Sequence, residues 1–92
     1  MDLSDWRQKI DEVDEKMLAL LNERAGYVLQ LAPLKREQAV PIYEPNRERE
    51  VIDNMRRRNQ GPLGDEAVRR IFETVMAEMR AVQVMDADRG EH

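Results

Sequence analysis

An apolar column that repeats every seven residues from Leu3 to about Lys35 constrains this chain more than any other feature, because it specifies one helix longer than a domain of this size is wide. Leu3, Ile10, Met17 and Leu31 share that column with Arg24, and the adjacent column runs Trp6, Val13, Leu20, Tyr27, Leu34 without a polar break. About 30 helical residues span roughly 45 Å at 1.5 Å each. A compact chain of 92 residues has a radius of gyration near 12 Å and a diameter of roughly 30 Å. A helix that outruns its own domain with an apolar seam along it needs a partner for that seam, most simply the same seam of a second copy. The expectation is an obligate homodimer. The alternative is a helix bent back on itself, which Pro33 encourages by removing a backbone donor and crowding the preceding turn.

The seam carries a cation where a core residue belongs. Arg24 lies within it, and the neighbouring flank holds Arg7, Asp14, Leu21, Val28 and Lys35, so Arg7 and Lys35 edge the same surface. Desolvating a lone cation costs several kcal/mol or more, so each of these groups needs an anionic partner, which can be a ligand.

Composition narrows the class of ligand. With 41% hydrophobic residues, four Gly and four Pro, the chain reads as one all-α domain with almost no strand signal. There is no cysteine, and the single histidine is His92 at the terminus, which leaves no thiolate or imidazole set for a metal site and no histidine base; no metal or cofactor is expected. No apolar run approaches the roughly 18 residues of a membrane span, and MDLSDWRQKIDEVDE is too acidic and polar for a signal peptide, so a cytoplasmic protein is expected. A net charge of −4 argues against nucleic acid as an electrostatic partner. It leaves room for a small anion, because screening over roughly 8 Å makes a pocket feel its own lining above the distant total.

The first helix is expected to start near Ser4, with the Ser4 hydroxyl as cap and Asp5 in the first turn. Residues 36–45, REQAVPIYEP, read as a connection, with Pro45 suited to the first turn of a second helix over about 46–59. Val51, Ile52 and Met55 form the apolar face of that helix, and Glu48 shares it. GPLGD at 61–65 is a turn, and a third helix over about 65–85 is striped by Val68, Ile71, Phe72, Val75, Met76, Met79 and Val82. Gln83 continues the stripe at plus four from Met79. Residues 1–85 form the domain, and 86–92 are expected as a disordered polar tail. Trp6 and the methionines read as packing, and Arg56, Arg57 and Arg58 as a solvated face.

Five polar groups therefore sit on or beside apolar faces: Arg7, Arg24, Lys35, Glu48 and Gln83. Three cations, a carboxylate and an amide suit a small dianion bearing a hydroxyl, and with no activated serine or cysteine the chemistry open to them is positioning and electrostatics. Each has a plainer reading. Arg24 can snorkel, Lys35 can be solvated if the helix ends at Pro33, Arg7 can pair with Asp11, Glu48 can serve the helix dipole, and Gln83 can be frayed surface.

In order and spacing these residues resemble the all-helical class of chorismate mutases. The likeness covers about Leu3 to Gln83. It rests on Arg7 with Ile10, Asp14, Leu18 and Leu21; on Glu23-Arg24; on Lys35; on Pro45 and Arg47-Glu48-Arg49-Glu50; and on Gly61-Pro62, Ile71-Phe72 and Gln83. The resemblance implies a three-helix protomer in an intertwined homodimer. It also implies a Claisen rearrangement of chorismate to prephenate without cofactor or covalent intermediate. By the same resemblance Arg24 and Arg7 of the partner subunit grip the two carboxylates, and Lys35 bridges a carboxylate and the ether oxygen. Gln83 donates to that oxygen, Glu48 with Glu44 accepts from the ring hydroxyl, and Arg47 positions that end of the substrate.

The chain departs from the family pattern in three places. Ala32-Pro33-Leu34-Lys35 replaces a usual Gly-Lys-x-Lys, Glu44 replaces an Asp, and Met79 stands where a small hydroxyl residue commonly contacts a carboxylate. Related readings are a pyruvate lyase acting on isochorismate, against which Arg47-Glu48 and Gln83 favour the mutase, and a non-catalytic regulatory or dimerisation module of an aromatic-pathway enzyme. A plain coiled-coil dimer explains the seam without explaining its cations.

Overall fold

The computed structural model describes residues 1–90, and these fold into three helices: α1 (Leu3–Glu37), α2 (Pro45–Arg58) and α3 (Asp65–Gly90). The start of α1 differs from the expected Ser4 cap. Asp2 is the N-cap: its carboxylate accepts from the Asp5 backbone at 3.0 Å, and the Asp5 carboxylate accepts from the Asp2 backbone at 3.0 Å. Two ionised groups facing the positive end of the helix dipole outcompete one hydroxyl, and Ser4 is drawn into the first turn.

Pro33 does not end α1. It lies inside the helix, which continues to Glu37. Proline forfeits one intrahelical donor, but its fixed φ suits a helix, and the turn beyond it is locked from the other side. The Val40 backbone donates to the Lys35 carbonyl at 2.7 Å and the Ala39 backbone to the Arg36 carbonyl at 3.2 Å. Ala39 adopts φ 57°, the left-handed conformation that this two-bond C-terminal reversal requires.

Pro45 opens α2 at its first turn, and the Glu48 amide donates to the Glu44 carbonyl at 3.0 Å. Between α2 and α3 the Asn59 side chain donates to the Leu63 carbonyl (2.8 Å) and to Asp65 Oδ1 (3.0 Å), and accepts from the Gly61 amide (3.0 Å). Gly61 stands at φ +74°, a conformation open to glycine at little cost.

Helix α3 also overruns its expected end. Residues 86–90, expected as part of a disordered tail, are helical. The reason is support from α1: Leu29 borders a shallow depression with Val82, Met85, Asp86 and Arg89, and no Gly or Pro interrupts α3 before Gly90. Residues 91 and 92, the rest of that tail, lie outside the described residues.

Helix α3 packs on both α1 and α2 and holds the centre of the protomer. Ala32, Val68, Met76 and Met79 are the buried apolar residues, and no large side chain among the described residues is fully enclosed. The N-terminal half of α1 projects away with its seam bare: Leu3, Trp6, Ile10, Val13, Met17 and Leu20 are all more than half exposed. The shape follows, with a radius of gyration of 16.4 Å and extents of 53 × 30 × 15 Å, against roughly 12 Å for a compact chain. No described helix is long and apolar enough to cross a membrane.

Candidate active site

A cavity of about 390 Å³ opens between the C-terminal half of α1, the start of α2 and the Met76–Gln83 stretch of α3. Helical spacing puts its lining there. Arg24, Val28, Leu31 and Lys35 recur at four, three and four residues along α1, and Met76, Met79 and Gln83 at three and four along α3, so each set shares one face. Glu44, Arg47 and Glu48 close the third side from the beginning of α2.

Lys35 is buried, at 7% exposure, which excludes its solvated reading. Its ammonium donates to the Ile42 carbonyl at 2.9 Å and pairs with Glu44 Oε2 at 2.9 Å. The chain leaving α1 turns back over its own lysine, and the buried charge is satisfied as such a charge must be. Glu44 occupies the N-cap position of α2 but makes no side-chain cap bond; its carboxylate goes to Lys35 instead.

Gln83 is buried too, at 6% exposure. Its Nε2 donates to the Met79 carbonyl at 3.4 Å, near the outer limit of a hydrogen bond, and its Oε1 has no partner among the described residues. An amide so weakly held has hydrogen-bonding capacity left for a ligand. Met79, also buried, lines the cavity with a thioether and brings no strong donor. Arg24 is half-buried against the cavity. Arg47 borders it, but its side chain is 60% exposed and its guanidinium is bonded to Glu50 at 2.5 Å.

Glu48 is held by a residue that sequence reasoning missed. Arg80 of α3 donates from Nη1 to Glu48 Oε1, and its guanidinium lies 4.9 Å from the centre of the Tyr43 ring. The hydrogen bond that Arg80 donates to Glu48 keeps the Arg80 pKa above its ordinary value, against the opposing effect of desolvation. One signal in the sequence could have found Arg80: it lies four residues after Met76 and three before Gln83, at the edge of the same stripe.

Arg7 does not join this group. It is exposed on the projecting half of α1, about 25 Å of helix away from Arg24. Among the described residues no cluster of three His, Cys, Asp or Glu side chains could hold a metal ion. Among the described residues the lining contains no serine, cysteine or histidine. What remains is a set of fixed cations, carboxylates and one amide, able to bind an anion and to stabilise charge that develops on it.

Residues 6–84 match the family model described as chorismate mutase type II. Among curated relatives, the bifunctional chorismate mutase/prephenate dehydratase of Neisseria gonorrhoeae is 44% identical over 77 residues, which are 84% of this chain and 21% of that protein. The chorismate mutase of Methanocaldococcus jannaschii is 33% identical over 82 residues, covering 88% of this chain and 83% of its own length. The chain thus spans about a fifth of the bifunctional relative and most of the smaller one. Among solved structures, form II of the chorismate mutase from Thermus thermophilus superposes with a TM-score of 0.85 at 30% identity, covering 88% of this chain and 92% of that one.

Proposed function

This chain belongs to the type II chorismate mutase family, and from that premise we propose that it converts chorismate to prephenate as a cytoplasmic homodimer, by preorganisation and without a cofactor. The observation that carries the reading is the convergence of Arg24, Lys35, Glu48 and Gln83, from three separate helices, on one cavity. A helical module relieved of chemistry has no need to bury Lys35 and Gln83 beside it.

The reaction is internal to the substrate. One carbon–oxygen bond breaks, one carbon–carbon bond forms, and no proton is transferred. Two tasks fall to the protein. The first is to hold the side chain over the ring, and well-oriented intramolecular geometry is worth roughly 7–11 kcal/mol of barrier at best. Arg24 and Arg7 of the partner subunit grip the two carboxylates for this purpose, while Glu48 with Glu44 takes the ring hydroxyl and Arg47 steadies that end. The second is to meet the negative charge that grows on the ether oxygen. Lys35 and the Gln83 amide are the donors for it, and loss of one such donor costs about 3–4 kcal/mol in comparable sites. Met79 makes no carboxylate contact here.

The homodimer is part of the proposal for two reasons. The bare seam of α1 needs a cover, and Arg7 cannot reach its own cavity along a straight helix, whereas a second α1 packed against the first brings an Arg7 to it. Because the bifunctional relatives join a mutase to a prephenate dehydratase, association with an enzyme of the same pathway, fused or separate, also belongs to the reading. The test is the loss of chorismate ultraviolet absorbance on adding the pure protein, with prephenate identified as product. Absence of turnover, or release of pyruvate from isochorismate instead, overturns it.

A further inference from the structure

Of the four cations that line the cavity among the described residues, Arg24, Lys35, Arg47 and Arg80, only Arg80 has no part in the proposed reaction. Its placement is specific. It reaches from α3 to Glu48 on α2, 32 residues away in sequence. Its guanidinium lies over the Tyr43 ring, and Tyr43 directly precedes the Glu44 that binds Lys35. Two consecutive residues of the linker thus hold a cation on each side of the cavity. Glu48 Oε1 is engaged by Arg80, and Oε2 has no bond to another described side chain.

We infer that Arg80 is a positioning residue: stacked on Tyr43, it clamps Glu48 Oε1 so that Oε2 is presented to the ring hydroxyl of the substrate. This rests on the mutase reading given above. The energetic stakes favour alignment over stability. The pair is partly open, with side chains 33% and 21% exposed, and an ion pair that water still reaches contributes less to folding than a fully buried one loses when broken. A glutamate without the clamp has three free torsions, and misplacement by an ångström can cost roughly a hundredfold in rate. The guanidinium fork suits the task better than an ammonium, because it can bond the carboxylate and stack on a ring at once.

The test is steady-state kinetics on chorismate for the parent, Arg80→Leu, Arg80→Lys and Tyr43→Ala, each alone and combined with Glu48→Gln, with circular dichroism confirming the fold. Arg80→Leu should lower kcat by roughly tenfold or more with a smaller change in KM, and Arg80→Lys should recover part of the loss. Tyr43→Ala, which removes the stack and touches neither charge, should give a smaller loss in the same direction and serves if Arg80→Leu does not fold. In the Glu48→Gln background each of these substitutions should change kcat by less than about twofold, because the group they position is gone. Additive losses, a loss confined to KM, or an Arg80→Leu enzyme as fast as the parent would overturn the proposal. The parent is assayed first: if it fails to turn over chorismate, the functional reading falls and takes this one with it, whereas an active parent with additive losses refutes the clamp alone.

Discussion

In the proposed reaction Gln83 is the residue at which charge development and hydrogen-bond donation meet most directly, because a buried amide donates at any pH whereas a glutamate there donates only when protonated. Ionised, that glutamate would also repel the charge growing on the ether oxygen. Gln83→Glu should therefore be weak near neutrality and gain activity as pH falls, while the parent stays comparatively flat until its own carboxylates protonate; parallel profiles for two folded proteins would return Gln83 to a packing role. Gln83 was legible in the sequence because it prolongs a stripe at helical spacing, and Arg24 and Lys35 because each interrupts or borders one. Glu44 was legible only in part, since it could equally have been a helix cap. Arg80 left only a weak signal, its place at the edge of the α3 stripe. Its partner lies on another helix, and an arginine at the edge of a stripe is indistinguishable in sequence from a solvated one until α2 and α3 are packed.

At the scale of the element, the end of α1 decides where Lys35 points, and the sequence signals there conflict. Pro33 argues for an early stop, whereas the reversal through Ala39 draws the helix on to Glu37 and folds the linker over the lysine. Ala39 holds a left-handed conformation that disfavours a Cβ. Ala39→Gly should raise stability by about 0.5–1 kcal/mol, read as a higher midpoint in urea at unchanged slope, and should leave kcat unchanged; destabilisation would mean that the reversal is not the one described. At the opposite end, Asp2→Ala should cost about 1 kcal/mol and Ser4→Ala much less, the reverse of what a Ser4 cap would give. The three helices and their order could be read from apolar periodicity, because burial imposes it. Their ends could not, because a cap depends on a few competing polar contacts and the overrun of α3 depends on the neighbouring α1.

For the whole molecule, length is the fact that governs the rest. The 53 Å extent and the bare half of α1 leave the protomer with few buried apolar side chains of its own, so folding and association should be linked. The thermal midpoint should rise with protein concentration, and a concentration-independent midpoint with a folded monomer in light scattering would contradict the dimer. That the helix outruns its domain was legible from the heptad columns alone; where Arg7 goes was not, since one chain places it about 25 Å along α1 from the cavity it is expected to serve. A site completed across two chains is the central claim, and complementation measures it. Arg7→Ala and Arg24→Ala homodimers should each be nearly inactive, because a buried carboxylate loses its charged partner at roughly 2–5 kcal/mol. Unfolded together in equal amounts and refolded, they pair at random, so half the dimers are mixed and each mixed dimer holds one intact site and one doubly damaged site. The refolded mixture should recover about a quarter of the parental chorismate mutase activity, and a mixture as inactive as its two parents would show that Arg7 and Arg24 do not meet across the dimer.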